Sequence, residues 1–173
     1  MDNKSQPIQN LQRNEAVAKI QELVKHNGIC MFTSSIGEVP LQTRPMSTQE
    51  VDDDGNFWFF SSKESHKNSE LSDDPRVQLL FANTSQSEFL TVYGQAIILH
   101  DRKKIEEMWS PIVKAWFQEG KDDPDLTLIK VVPESAYYWD SKDNKMISLL
   151  KIAASAISGK TMDIGVEGTL QVN

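Results

Sequence analysis

The stretch FWFFSSKESHKNSEL, Phe57–Leu71, decides how this chain is read. Its first four residues are aromatic, which suits a buried strand. Ser61-Ser62-Lys63 ends that strand, and a helix is expected over about Ser65 to Leu71, closed by Asp73-Asp74-Pro75. A helix start carries unpaired N–H groups and the positive end of the helix dipole, so it attracts an anion. Here it also carries hydroxyls on Ser62 and Ser65 and cations on His66 and Lys67. Cations in that place oppose the dipole, a misfit that an anionic ligand would relieve. The competing reading is an ordinary N-cap at Ser65 with Lys67 as a solvated charge.

Upstream, GEVPLQTRPMST (Gly37–Thr48) sets Arg44 in a strand, followed at once by Pro45 and Met46. Proline removes a backbone donor, so this strand belongs at an edge or a bulge, where backbone can meet a ligand. Arginine can grip a phosphate with two parallel hydrogen bonds. An arginine in a strand is more commonly paired with an acidic neighbour, and that alternative stays open here.

Working outward, Leu11 to His26 carries Val17, Ile20, Leu23 and Val24 at helical spacing and stops at Asn27-Gly28. Short strands follow at Ile29 to Ser34, Leu41 to Thr48, Asn56 to Ser61, Val77 to Ala82 and Phe89 to His100. Tight turns such as Asp52-Asp53-Asp54-Gly55 make neighbours antiparallel. A helix is expected from Asp101, its N-cap, to about Gln118, with a kink or break at Pro111. On that helix Trp109, Trp116 and Phe117 would share one face, with packing the default role over ligand stacking. Leu126 to Val132 and Ala136 to Trp139 read as two further strands around Pro133. Lys145 to Ser158 is a last amphipathic segment, and residues 159–173 form a loosely held tail beyond a domain of residues 10–158. The pattern is α+β: six or seven antiparallel strands curled into a barrel, with peripheral helices.

Composition sets the class. With 39% hydrophobic and 25% charged residues, the chain can bury a core, and its 173 residues suit one domain. No apolar run is long enough to span a membrane, and none near the start resembles a secretory signal. One cysteine, Cys30, rules out an internal disulfide, and the cytoplasm is the simplest compartment. A net charge of −7 argues against nucleic acid but not against one small anion held by local cations. No carboxylate, histidine or cysteine repeat has metal-ligand spacing, and no nucleophile elbow or phosphate loop is present.

Taken together, Arg-Pro-Met in one strand, an aromatic strand running into Ser-Ser-Lys, and Ser-His-Lys opening a helix resemble the flavin-binding split barrel of the pyridoxamine 5′-phosphate oxidase superfamily. The stretch VYGQAIILHDRKKIEEMWSPIVKAWFQEGKDDPDLTLIKVVPESAYYWD is similar to its general stress protein 26 branch. The resemblance implies FMN at the interface of a homodimer, with FAD or a deazaflavin as alternatives. By position, it places Arg44 on the phosphate or ribityl chain and Ser61, Ser62 and Ser65 as hydroxyl donors. His66 and Lys67 neutralise the phosphate, and Thr43, Pro45 and Met46 present backbone to the ring. Of Phe59 and Phe60 only one can face the ring, and Trp139 would cover it from the partner subunit.

His66 stands where arginine is common in the pyridoxamine phosphate oxidases, and their C-terminal vitamin B6 grip has no match in Lys142 to Asn173. The implied function is therefore a flavin-dependent oxidoreductase linked to stress response, taking electrons from NAD(P)H or another small donor. The alternative is a protein that binds or sequesters flavin with little turnover. No side chain stands out as a catalytic acid or base, so turnover would rest on the flavin.

Overall fold

A computed structural model describes residues 9–141 and 165–172. In chain order the elements are β1 (Leu11–Gln12), α1 (Asn14–His26), β2 (Ile29–Ser34), β3 (Gln42–Ser47), β4 (Glu50–Val51) and β5 (Phe57–Ser62). Then come α2 (His66–Asp73), β6 (Arg76–Asn83), β7 (Glu88–Leu99), α3 (Arg102–Met108), β8 (Leu126–Ser141) and β9 (Gly165–Gln171), with single 3₁₀ turns at Val113–Ala115 and Gly120–Asp122. The α+β expectation holds. Nine strands stand in place of six or seven, because the two-residue β1 and β4, together with β9, join the same sheet.

The ladder runs β1-β9-β8-β7-β6-β2-β3, and β5 pairs with both β4 and β8. Only β1 with β9 is parallel. The chain segment that forms β3 and β4 leaves β2 and reaches β5, where the Gln49 amide donates to the Trp58 carbonyl at 2.8 Å. The sheet thus curls back on itself as a split barrel.

The long β8 holds the split together. One edge pairs with β7 throughout, while the other pairs with β5 over its first half and β9 over its second. The two strands expected around Pro133 are therefore one. Tyr93 faces Ser135 and Gly94 faces Pro133, so β8 absorbs an extra residue in a bulge instead of stopping. The backbones approach so closely there that a Cβ on Gly94 would lie 2.3 Å from the Val132 carbonyl oxygen.

Alternation along β5 sends Phe57 and Phe59 into the main core with Phe32, Leu79, Val92, Ile129 and Tyr138. Helix α1 closes that core with Ala16, Ile20 and Leu23. Trp58 points the other way, into a second core with Ile105, Val113, Phe117, Leu126 and Leu128. A strand buried on both faces explains its unbroken aromatic run.

Two expectations need correcting. The helix from Asp101 does not reach Gln118. Asp101 caps it, accepting from the Lys104 amide at 3.0 Å, but Met108 is its last residue and Trp109 is already extended. Pro111 disfavours helical geometry just before it and supplies no N–H, so the chain continues as a separate 3₁₀ turn. Trp109, Trp116 and Phe117 consequently share no single helix face. The expected loose tail is also in part a strand: β9 pairs with the end of β8 and buries Leu170. The amphipathic segment Lys145 to Ser158 lies outside the described residues. No helix among the described residues is long and apolar enough to cross a membrane.

Candidate functional site

Strands β3 and β5, the start of α2 and the stretch 110–117 enclose a cleft of about 420 Å³, inside the roughly 300–1,000 Å³ range of small-molecule sites. Arg44, Pro45 and Met46 contribute one wall, Phe60, Ser61 and Ser62 the floor, and Lys67 the polar end. Seven of the eleven sequence-predicted residues thus converge on the cleft, from three elements.

Their partners were less easily foreseen. Arg44 donates through Nη1 to the Ser34 hydroxyl at 2.6 Å and through Nη2 to Glu70 at 2.8 Å. Ser34 also donates to the same Glu70 oxygen. Burial alone would push the Glu70 carboxyl up. The hydrogen bonds from Ser34 and Arg44, with the charges of Arg44 and His66, bring it below its usual range. The commoner fate of a strand arginine, an acidic partner, is therefore met, while the guanidinium still lines the cleft.

Lys67 differs. It is partly buried beside Arg44 and makes no hydrogen bond or ion pair among the described residues. Desolvation, followed by repulsion from Arg44, lowers its pKa below the ordinary lysine value. The first turn of α2 contains no acidic residue, and the charges of Asp125 and Glu70 offset the lowering only in part. A desolvated cation next to a second cation at a helix start is an electrostatic vacancy for an anion.

The serines divide. Ser62 lines the cleft, and its hydroxyl also bonds the half-buried Asp125 carboxylate, holding that group below its usual pKa. Ser61 donates to Asn68 at 2.6 Å within a buried network, in which Thr127 receives a bond from Asn68 and donates to the Ser61 carbonyl. Its first duty is to fasten α2 to β5 and β8. Ser65 precedes the helix and donates to the Ser62 carbonyl at 2.7 Å, and its side chain makes no capping bond.

Four expected residues fall outside the cleft, and Ser65 is one of them, lining a neighbouring cleft beside α2. His66 is exposed and opens onto a separate acidic depression with Glu38, Glu70, Asp73 and Asp74. Thr43 hydrogen-bonds Thr33 across β2 and β3 at 2.9 Å. Trp139 sits near the far end of β8, opposite Phe89 and against Tyr137 with ring centroids 4.8 Å apart. Of the two candidate phenylalanines, Phe60 lines the cleft and Phe59 is fully buried in the core.

Sequence reading missed the opposite wall, made by Ser110, Ile112, Val113, Trp116 and Phe117. The signal is the apolar pairs at 112–113 and 116–117, which the periodicity of the sequence assigns to a longer helix. A larger cleft of about 770 Å³ flanks α2 elsewhere, lined by Lys63, Ser69, Arg102 and Lys121. Its Arg102 is already paired with Glu106 and Asp122. Among the described residues, no group of three or more His, Cys, Asp or Glu could hold a metal ion.

The chain matches a family model described as pyridoxamine 5′-phosphate oxidase like over residues 15–163. Protein bli-3 of Neurospora crassa is 28% identical over 157 residues, covering 85% of this chain and 75% of that one. General stress protein 26 of Bacillus subtilis is 29% identical over 92 residues, which is 51% of this chain and 65% of its own length, just under two thirds. A Jannaschia sp. CCS1 structure described as a general stress protein 26 has the same fold, with a TM-score of 0.77 at 24% identity, covering 89% of this chain and 96% of that one. The general stress FMN/FAD binding protein of Xanthomonas citri is similar at a TM-score of 0.65 and 27% identity, over 75% of this chain and 92% of that one.

Proposed function

Because the chain belongs to the pyridoxamine 5′-phosphate oxidase-like family, in its general stress protein 26 branch, we propose that the cleft between β3, β5 and α2 binds a flavin mononucleotide. On this reading the protein works as a flavin-dependent oxidoreductase linked to stress response. The observation that carries it is Lys67, a half-buried cation beside Arg44 at the start of α2 with no hydrogen-bond or ion-pair partner among the described residues. A phosphate there gives Lys67 a direct partner and meets the N–H groups of the helix start.

The residues fit the group end to end. Arg44, Lys67 and Ser62 hold the phosphate, and Pro45, Met46 and Phe60 offer an apolar wall to a flat ring. Beyond β3 no further strand pairs along its ladder among the described residues, so its backbone is open to the edge of such a ring. When bound, flavin supplies redox chemistry, and the chain's own residues bind it, orient it and exclude water.

A homodimer belongs to the same reading. Met31, exposed on β2, faces Pro45 on one side and Leu80, also exposed, on the other. An apolar surface therefore adjoins the cleft, and a second copy would cover both. Trp139 of the partner subunit is our candidate for a residue that closes the ring.

Gentle purification, inspection for a yellow chromophore, and titration with FMN, FAD and a deazaflavin test the proposal. We expect FMN to bind most tightly, and failure of all three overturns it. Adding NADH or NADPH to the loaded protein then separates an oxidoreductase, whose flavin bleaches rapidly, from a protein that only sequesters flavin.

A further inference from the structure

The stretch from Ile112 to Phe117 carries two apolar pairs, each four residues apart. The turn here is 3₁₀, closed by i→i−3 bonds such as Trp116 N–H to the Val113 carbonyl at 3.0 Å, so burial and not helical spacing sorts these residues into inner and outer pairs. Val113 and Phe117 form the inner pair: they are 4% and 6% exposed and belong to the second core with Trp58, Ile105, Leu126 and Leu128. Ile112 and Trp116 form the outer pair, 78% and 80% exposed, and both line the cleft that ends at Arg44 and Lys67.

The anchoring of this turn therefore does not depend on Trp116. Its two neighbours fix the backbone, and the indole is left presented to the cleft from a rigid base. Phe60, across the cleft, is held in place by edge-on and tilted contacts with Trp109 and Phe117, at ring centroid distances of 6.0 and 6.5 Å. One end of the cleft is thus cationic and another wall is aromatic, with the free indole the largest apolar group on that wall.

Resting on the flavin reading above, we infer that Trp116 is the platform on which the flat ring of the bound flavin stacks, with Ile112 as its apolar flank. Trp116 sets ring affinity and ring environment, whereas Arg44 and Lys67 set phosphate affinity. The two contributions are separable because they act at different ends of one ligand.

The test titrates the full chain and its Trp116→Ala, Trp116→Phe and Lys67→Ala variants with FMN and with riboflavin, which lacks the phosphate. Binding is measured by equilibrium dialysis and ring environment by flavin fluorescence. Trp116→Ala should weaken both ligands by the same factor, roughly five- to tenfold, and relieve much of the fluorescence quenching seen on binding. Trp116→Phe should recover most of the affinity but little of the quenching, because a phenyl ring is a poorer electron donor than indole. Lys67→Ala should weaken FMN alone.

Unchanged affinity and quenching in Trp116→Ala, with wild type binding FMN, overturns the inference and leaves the flavin site standing. So does an indole signal, lost in Trp116→Ala, that responds to protein dilution and not to flavin, because Trp116 would then contact a second copy. If wild type binds neither ligand, the flavin reading itself falls, and this one with it. Because the indole is exposed, circular dichroism and melting of Trp116→Ala should match wild type, so misfolding does not mimic either result.

Discussion

Arg44 Nη2 lies 2.8 Å from Glu70 Oε2, which joins a strand at one edge of the barrel ladder to the fifth residue of α2. Lys67, one turn earlier on the same helix, has no such partner among the described residues. Two cations in one cleft therefore have different standing: one is built into the fold and the other is held in reserve.

That difference separates two substitutions. Lys67→Ala should weaken FMN binding by about 1.5–3 kcal/mol, the worth of a charge-assisted hydrogen bond. It should leave stability unchanged or slightly improved, since it relieves desolvation and repulsion from Arg44. Arg44→Ala should weaken binding and also cost about 1–3 kcal/mol of stability, because Glu70 and Ser34 lose their donor. Flavin titration beside urea denaturation distinguishes the two.

Glu70→Gln keeps an oxygen to accept from Ser34 and Arg44 but removes a negative charge next to the proposed phosphate. We expect FMN to bind a few-fold tighter, about 0.2–1 kcal/mol for a partly exposed pair, with riboflavin unaffected. Weaker FMN binding would instead mean that the charge is needed to hold Arg44 in place.

Acid should loosen the β4–β5 turn through Asp52. Burial raises the pKa of this carboxyl, but bonds from the Trp58 indole, the Asn56 side chain and the amides of Asn56 and Asp54 outweigh it, and the net shift is downward from 3.8. A lowered folded pKa means that the stabilisation is complete above the unfolded value and is lost as pH falls from about 4 through the folded value. Denaturation midpoints for wild type and Asp52→Asn should differ at pH 7 and draw together as acid protonates Asp52 in the folded state.

Leu170→Ala tests whether β9 belongs to the fold. As a fully buried leucine paired across from Ala136, it should cost about 2–5 kcal/mol. A residue in a loose tail would change stability by less than about 0.5 kcal/mol.

Much of the fold was legible because local chemistry decided it. The apolar spacing of α1, the β strands, the Asp52–Gly55 turn and the Asp101 cap each depend on residues within a few positions of one another. What escaped depended on distant partners. Nothing in GVEGTLQ marks β9 as a strand until the edges of β8 and β1 supply its hydrogen bonds. The early end of α3 could be suspected from Pro111, yet only the second core shows which aromatic side chains turn inward.

The candidate site divides in the same way. By itself, the sequence determined that an aromatic strand would deliver Ser61 and Ser62 to the start of a short helix, with Lys67 in its first turn. It did so because strand alternation, turn residues and helix starts are local rules. Only the tertiary structure decided that Arg44 would be tied to Glu70, that His66 would face an acidic depression instead of the cleft, and that Trp116 would stand free in its wall. Those outcomes follow from strand register and from which faces the two cores bury, and both are set by contacts between residues far apart in the chain.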